Sequence, residues 1–415
     1  VALIVQKYGG TSLANIEKIR QVAKHIIRTK EKGNDVLVVV SAMAGETDRL
    51  IKLSRSIMDP PDERELDVIT SSGEQVSSGL LAMMIKSLGR DAISFQGHQV
   101  RIVTDNAYSK ARIVKIDDEK IKKALSSGKI VVVAGFQGVD EEGNVTTLGR
   151  GGSDLTAVAL AAVLKADACE LYKDDVDGVY TTDPGICRNA RKLKKISYDE
   201  MLEMASLGSK VLQARAVEFA KKFCVPIHVR PTGRPEAEGT WVVEEEEAMA
   251  EMEDILISGV TYDKNQAKIT IMQVPDRPGI AAKLFSAIGD EGIVVDMIVQ
   301  NVSTEGYTDM TFTVPRTDFK KALRITQEIA KELGAKGVIA DDHITMVSLV
   351  GVGMKTHSGI ASRMFSALAR EGINIMMIST SEIRVSCVID EKYTELAVRA
   401  IHDAFNLGEE NLATN

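Results

Sequence analysis

Two stretches carry the chemistry that is easiest to read in this chain: Lys7-Tyr8-Gly9-Gly10-Thr11-Ser12 and Leu148-Gly149-Arg150-Gly151-Gly152-Ser153-Asp154. In the first, a lysine precedes two glycines and two hydroxyl residues, and a helical pattern follows. Glycines leave backbone N–H groups open, and a helix start adds its positive dipole end. Lys7 supplies a mobile charge at the mouth, so the expected ligand is a nucleotide phosphate. The plainer reading is a tight turn beside a solvated lysine, because the hexamer does not match the G-x-x-x-x-G-K-[ST] phosphate loop. In the second stretch glycines surround Arg150, whose planar guanidinium can grip a small carboxylate with two hydrogen bonds. Ser153 and Asp154 are expected to cap the helix that follows. A capped, glycine-rich turn without a ligand would need no more than that.

Three other places add candidates. Thr70-Ser71-Ser72-Gly73-Glu74-Gln75 is expected to interrupt a helix and to turn Glu74 toward a substrate, although an exposed helical carboxylate is the usual fate of a glutamate. The stretch from Tyr172 to Pro184 is rich in aspartate but lacks the EF-hand spacing and its closing Glu. It suits a loop that frames a base and ribose equally well. Gly208-Ser209-Lys210 offers a further cation.

Elements must position these residues. The 415 residues are enough for two or three domains, with 44% hydrophobic and 27% charged side chains. Lys and Arg number 51 against 59 Asp and Glu, a net charge of −8, so no general attraction to nucleic acid is expected. No run reaches the length of a membrane span and no signal-peptide pattern opens the chain, which makes a cytoplasmic protein without a membrane partner the expectation. The four cysteines are scattered and the six histidines do not cluster, so no resident metal is expected. Continuous apolar strands at Val36–Val40, Ala92–Phe95, Ile130–Ala134, Ala168–Tyr172 and Pro226–Val229 alternate with helices near 46–57, 66–87, 117–126, 153–164 and 198–222. That alternation predicts a largely parallel sheet covered on both faces, with its site at the carboxyl ends of the strands.

Taken in order, these motifs resemble the bacterial aspartokinase (aspartate kinase) family. The matches are Lys7–Ser12, Val38–Met43, Ser72–Glu74, Gly135–Gly138, Thr147–Asp154, Asp175–Tyr180 and Ser209–Leu212. The resemblance implies a three-layer α/β/α amino-acid-kinase domain over residues 1–243. It also implies transfer of the γ-phosphoryl of ATP, accompanied by Mg2+, to the side chain of L-aspartate. This would be the first step toward lysine, threonine, methionine and isoleucine. By resemblance, Ser41, Thr47, Glu74, Phe136, Arg150, Gly151, Gly152 and Ser153 hold aspartate, and Asp154 orients nearby cations. Lys7, Gly9, Gly10, Lys173, Asp174, Asp175, Tyr180 and Lys210 meet the nucleotide. A carboxylate acceptor is already ionised and needs no general base, so catalysis should rest on positioning and charge neutralisation. The chain departs from the family pattern in one informative place. Where Tyr-Thr-Asp-Val-Asp-Gly is usual it reads Tyr172-Lys173-Asp174-Asp175-Val176-Asp177-Gly178, one residue longer, which leaves the nucleotide-contacting Asp open. Gly185 replaces an arginine after Asp183-Pro184, and Arg230-Pro231-Thr232 stands for Arg-Ser-Ser.

After a polar linker at 244–254 the chain repeats. Residues 276–288 recur at 356–368, an offset of 80, and the match runs through Glu291-Gly292-Ile293 and Glu371-Gly372-Ile373. Each unit, 255–335 and 336–415, is expected to be a βαββαβ ferredoxin-like module. The plain reading is dimerisation without a ligand. The units resemble ACT domains, which implies effector sites for L-lysine and/or L-threonine at Asp276, Gly279, Ile280, Gln300, Asn301, Asn374, Ile375, Glu382 and Ile383. These are expected to converge where paired modules meet, although Val294 stands where the first module would usually carry Asn. A homo-oligomer is expected, or a heterotetramer with a shorter regulatory chain started near Met249 or Met252. Another amino-acid kinase, or a ligand sensor with a dead kinase domain, is the competing reading. A fused homoserine dehydrogenase is not expected at this length.

Overall fold

The computed structural model describes residues 1–209, 211–248, 257–301, 306–352, 354, 357 and 359–408. These fall into two compact units. The first is Val1–Val179, Lys192–Ser206 and Lys210–Glu253; the second is Tyr180–Arg191, Leu207–Ser209 and Asp254–Asn415.

The first unit is built on an eight-stranded sheet. Its order is Lys195–Ser197, Thr240–Val243, Ile227–Pro231, Ala168–Lys173, Leu3–Tyr8, Asp35–Val40, Ile130–Ala134, Ala92–Phe95. All pairings are parallel except that between Ile227–Pro231 and Thr240–Val243. Val36 to Val40 are wholly buried because successive side chains meet helices on opposite faces. Val36, Val38 and Val40 join Tyr8, Tyr172 and Val132 under the helices Ile16–Glu31 and Glu63–Ser87. Val39 looks the other way, toward the helix Gly152–Leu164: a Cβ on Gly135 would lie 2.9 Å from both Val39 Cγ1 and Ser153 Cβ. The sheet is thus the middle of three layers, and period-2 alternation decides which strand-end residue faces which helix. A small second sheet, Ile113–Lys115, Val103–Thr104, Gln137–Val139, Val145–Thr147, closes one end; the apolar pattern did not anticipate it.

Three local expectations need correction. The helix Glu63–Ser87 runs unbroken through Thr70–Gln75. Its hydroxyls bond back to their own helix, as Thr70 Oγ1 does to Leu66 O at 2.8 Å, and Gly73 lets the helix pass Ala42, whose Cβ a side chain there would meet at 2.7 Å. Ser153 and Asp154 do not cap. Gly151, at φ 73°, precedes the helix without any side-chain bond, which frees both residues for the site. The helical region 198–222 is two helices, Tyr198–Ser206 and Ala214–Phe223, parted near Gly208 at φ 100°.

The second unit is one six-stranded antiparallel sheet in the order Ile298–Gln300, Tyr307–Pro315, Ile257–Pro275, Gly337–Gly351, Arg384–Asp390, Met377–Thr380. Its two longest strands are each shared by both modules. Ala267, Ile269, Ile271 and Val274 enter the first core with the helices Ile280–Asp290 and Phe319–Leu333. Val260, Ile257 and Tyr262 enter the second, with Ile360–Arg370 and Thr394–Ala404. The polar run Asp263-Lys264-Asn265 marks the crossing, where the register with Gly337–Gly351 shifts. Both modules are ferredoxin-like, but the second takes its fourth strand from 257–263, ahead of the first, where a plain tandem would take it from the end of its own sequence.

Candidate active site

The carboxyl ends of the strands open into a cleft of about 430 Å3. Lys7 reaches it from the end of Leu3–Tyr8, on the face opposite Tyr8, and is buried. Its Nζ lies 2.7 Å from Asp154 Oδ1. Asp154 belongs to the first turn of Gly152–Leu164, where the helix dipole also favours a carboxylate. A second lysine completes the group, with Lys173 Nζ 2.9 Å from Asp154 Oδ2. Burial pushes the Asp154 carboxyl up, yet the charges of Lys173 and Lys7 outweigh it and hold the group well below the usual carboxylate range. Burial lowers Lys7, opposed by Asp154. The cluster is therefore a carboxylate clasped by two cations.

Gly9 and Gly10 form the turn that carries Lys7. The chain makes one 3-10 turn, Thr11–Leu13, before Asn15 caps the helix Ile16–Glu31 by accepting from Lys18 N at 2.9 Å. Gly10 is needed for close approach, since a Cβ there would sit 2.6 Å from Ala42 O. Ser41 and Thr47 flank that neighbouring loop and line the cleft.

Glu74 reaches the same cleft from the middle of its helix, 3% exposed. Oε1 accepts from Ala42 N at 3.0 Å, and Oε2 is buried without a partner among the described residues. Burial, only partly offset by the Ala42 N–H, pushes its carboxyl up to about 7. A buried unpartnered carboxylate oxygen costs free energy unless a ligand cation meets it. Phe136, at φ 70°, donates its N–H to Thr156 Oγ1 at 3.1 Å and lines the wall with Gly151, Gly152 and Ser153.

Arg150 stands exposed at the mouth, and its guanidinium has no ion pair among the described residues. Its loop is held from outside. Gln213 Nε2 donates to Arg150 O at 2.7 Å, and Arg215 donates to Leu148 O and Ala111 O. Asp67 was missed in the sequence. It is 1% exposed and accepts from Thr147 N at 2.8 Å, Thr147 Oγ1 at 2.7 Å and Ser109 N at 2.9 Å, anchoring the strand that leads to Arg150. The only signal was a carboxylate at a position the helical period assigns to the inward face.

The nucleotide candidates are dispersed. Asp174 Oδ2 accepts from Ser12 Oγ at 2.9 Å, beside Thr232, and both Asp174 and Asp175 are exposed. Tyr180 begins the segment assigned to the second unit. Lys210 lies outside the described residues, as do Met249 and Met252.

In the second unit a cavity of about 370 Å3 gathers Asp276, Gly279, Ile280 and Gln300, with Thr308. Asn301 adjoins it, its carbonyl accepting from Thr308 Oγ1 at 2.6 Å. Asn374, Ile375, Glu382 and Ile383 are not part of that lining. Ile298–Gln300 and Met377–Thr380 form opposite edges of the six-stranded sheet, so within one chain the two sets lie apart.

The family model described as "Amino acid kinase family" matches residues 2–231, and "ACT domain" models match 268–334 and 347–405. An aspartate kinase of Stutzerimonas stutzeri (strain A1501) is 57% identical over 407 residues, 98% of each chain. The chain belongs to the aspartokinase family. Its activity class is therefore ATP-dependent phosphoryl transfer to a carboxylate. Among solved structures, E. coli aspartokinase III in complex with aspartate and ADP superimposes with a TM-score of 0.80 at 24% identity, over 97% of this chain and 100% of that one, a likeness of fold. The same protein in complex with lysine and aspartate gives 0.75 at 25% identity, over 98% and 100%. No helix among the described residues is long and apolar enough to cross a membrane.

Proposed function

We propose that this chain transfers the γ-phosphoryl group of ATP to the side-chain carboxylate of L-aspartate, giving 4-phospho-L-aspartate. The observation that carries the reading is one cleft lined by Lys7, Asp154, Arg150 and Glu74, with Lys173 paired to Asp154 from behind, Arg150 without an ion pair and one Glu74 oxygen buried without a partner among the described residues. An amino acid with two carboxylates fits that set. Arg150 takes a carboxylate, Glu74 takes the ammonium, and Lys7 faces the oxygen that receives the phosphoryl group. The acceptor oxygen is already anionic, so the barrier is repulsion between anions. Preorganised cations lower it without moving a proton.

Magnesium belongs to the nucleotide in this reading. Among the described residues no group of three or more His, Cys, Asp or Glu could hold a metal. The ion would arrive on the phosphates of ATP and neutralise part of their charge. Gly9 and Gly10, with Lys7, suit the phosphates; Asp174, Asp175, Tyr180 and Lys210 are proposed for the rest of the nucleotide.

The ACT modules would make the enzyme a point of feedback for lysine and/or threonine, end products of the pathway that 4-phospho-L-aspartate enters. The lysine complex of the E. coli protein and the Asp276–Gln300 cavity support this. Effector binding there acts as a coupling energy on substrate affinity. Separation of the two effector sets within one chain supports an oligomer, whether of identical chains or with a shorter regulatory chain. Formation of aspartyl hydroxamate with ATP, assayed with and without both amino acids at millimolar concentration, tests the whole reading. No product with aspartate, against product with another carboxylate in a substrate panel, would overturn it.

A further inference from the structure

We propose that Asp67 is a positioning residue for substrate selection. Through the strand Val145–Thr147 it fixes Arg150 at a set spacing from Glu74, and so fits the cleft to a four-carbon acidic amino acid over its five-carbon homologue. The proposal deepens the aspartate-kinase reading and rests on it.

Both ends of that spacing are written on one helix. Asp67 and Glu74 stand seven residues apart in Glu63–Ser87 and share its buried face. Two turns of helix separate them by about 10 Å along the axis. Glu74 lines the cleft, whereas Asp67 does not and works on the opposite wall. Its carboxylate accepts from Thr147 N at 2.8 Å and Thr147 Oγ1 at 2.7 Å, and Ser109 N donates to both its oxygens, at 2.9 and 3.1 Å. A second tie lies between the two acids: Gln137 Nε2 donates to Ser71 O at 2.8 Å, and Gln137 is the register partner of Thr147. The strands Gln137–Val139 and Val145–Thr147 are therefore both clamped to the helix. Leu148 follows, its N–H held by Phe136 O at 2.8 Å, and Arg150 comes two residues later. The helix thus acts as a ruler, with Glu74 as one jaw and Arg150 as the other.

The anchor is more exacting than upkeep of the fold requires. Asp67 is 1% exposed, and no cation pairs with it among the described residues. A buried charge without a counter-charge is costlier than a buried amide. What the carboxylate adds is two acceptor oxygens and charge-assisted bonds, which are shorter and stronger than neutral ones. An asparagine would offer one acceptor and turn an N–H toward donors. Arg150 is exposed, so only its loop limits where the guanidinium can reach. A loop free to drift by the length of one methylene would admit the longer homologue equally well. In a site of fixed length that methylene is worth roughly 10- to 200-fold in kcat/KM.

The test uses Asp67→Asn, Thr147→Val, Arg150→Ala and the Asp67→Asn/Arg150→Ala pair in the full chain. KM and kcat are measured for aspartate and ATP, with L-glutamate followed both as a substrate and as a competitor of aspartate. Asp67→Asn should raise the KM for aspartate about tenfold and leave that for ATP within about twofold. It should narrow the preference for aspartate over glutamate at least about fivefold. A preference measured on one preparation is independent of the fraction folded, so a merely structural role would not move it. In the Arg150→Ala background Asp67→Asn should add less than about twofold to the aspartate KM, because its effect passes through that guanidinium. Thr147→Val removes one donor at nearly constant shape and should raise the aspartate KM about threefold. It takes the place of Asp67→Asn where that variant does not fold. The proposal fails if folded Asp67→Asn keeps both the aspartate KM and the preference within about twofold of wild type, or if its effect multiplies with that of Arg150→Ala. Where only Thr147→Val folds, an unchanged KM and preference overturn it. A wrong acceptor shows instead as a wild type that gives no product with aspartate, so the two failures are distinguishable.

Discussion

The kinase cleft and the turn of the first ACT module handle charge in opposite ways. Lys7, Glu74 and Asp154 are each less than a tenth exposed, whereas Asp276, Arg277 and Gln300 around the other cavity are exposed. Burying ions in the cleft costs several kcal/mol per ion, offset by close pairing. In return the cations are preorganised before substrate arrives and act in a low dielectric. Charges at the ACT turn stay in water and cost little. They gain strength only when a ligand or a second copy covers them. A change among the buried ions of the cleft should therefore touch chemistry and folding together, whereas a change at the turn should touch regulation alone.

The sharpest attempt to break that contrast is Lys7→Ala. Turnover should fall at least about 1,000-fold, while lysine or threonine binding, measured by calorimetry, stays within about twofold. Loss of both would mean that the two regions are not separable. Arg150→Ala comes next. Losing a two-bond, charge-assisted grip should raise the KM for aspartate on the order of 100-fold and leave the thermal midpoint nearly unchanged, because the guanidinium is exposed and has no ion pair among the described residues. A comparable fall in thermal midpoint would make Arg150 structural.

Glu74 separates chemistry from folding by pH. Only the ionised form pairs with the substrate ammonium, so kcat/KM for aspartate should climb through about pH 7, on the order of tenfold, and Glu74→Gln should flatten the rise. Stability runs the other way. The folded-state value lies above the unfolded one near 4.5, so the folded chain holds the extra proton between the two, and stability falls as pH rises from about 4.5 to about 7. The loss is on the order of 3 kcal/mol, and Glu74→Gln should remove it in denaturant titrations at the two pH values. The smallest effect on the uninhibited rate belongs to Asp276→Ala. Its kcat without effector should match wild type within about twofold, with inhibition weakened at least about tenfold. Undiminished inhibition would move the effector site away from that turn.

How much was legible follows the same division between local and distant contacts. Lys7 and the glycines after it, or Arg150 among its own, announce themselves because turn chemistry depends on neighbouring residues. The core strands were legible for the same reason, as runs of β-branched residues. The break expected at Thr70–Gln75 was a misreading of composition: hydroxyls and a glycine can sit within a helix when they bond back to it and a loop must pass close. Asp67 gave little sign of itself because its three donors lie about 40 and 80 positions away.

The sequence by itself determined that the first part of the chain would form a largely parallel sheet with glycine-rich turns at its carboxyl edge, and that a doubled module would follow. Those are consequences of periodicity, glycine placement and repetition. Tertiary structure alone decided that Asp154 would stand between Lys7 and Lys173, and that strand 257–263 would complete the second module from ahead of the first. Both depend on strand register and partner choice. When a strand is buried on both faces its apolar run fits several neighbours and offsets, and only packing of the whole core selects among them.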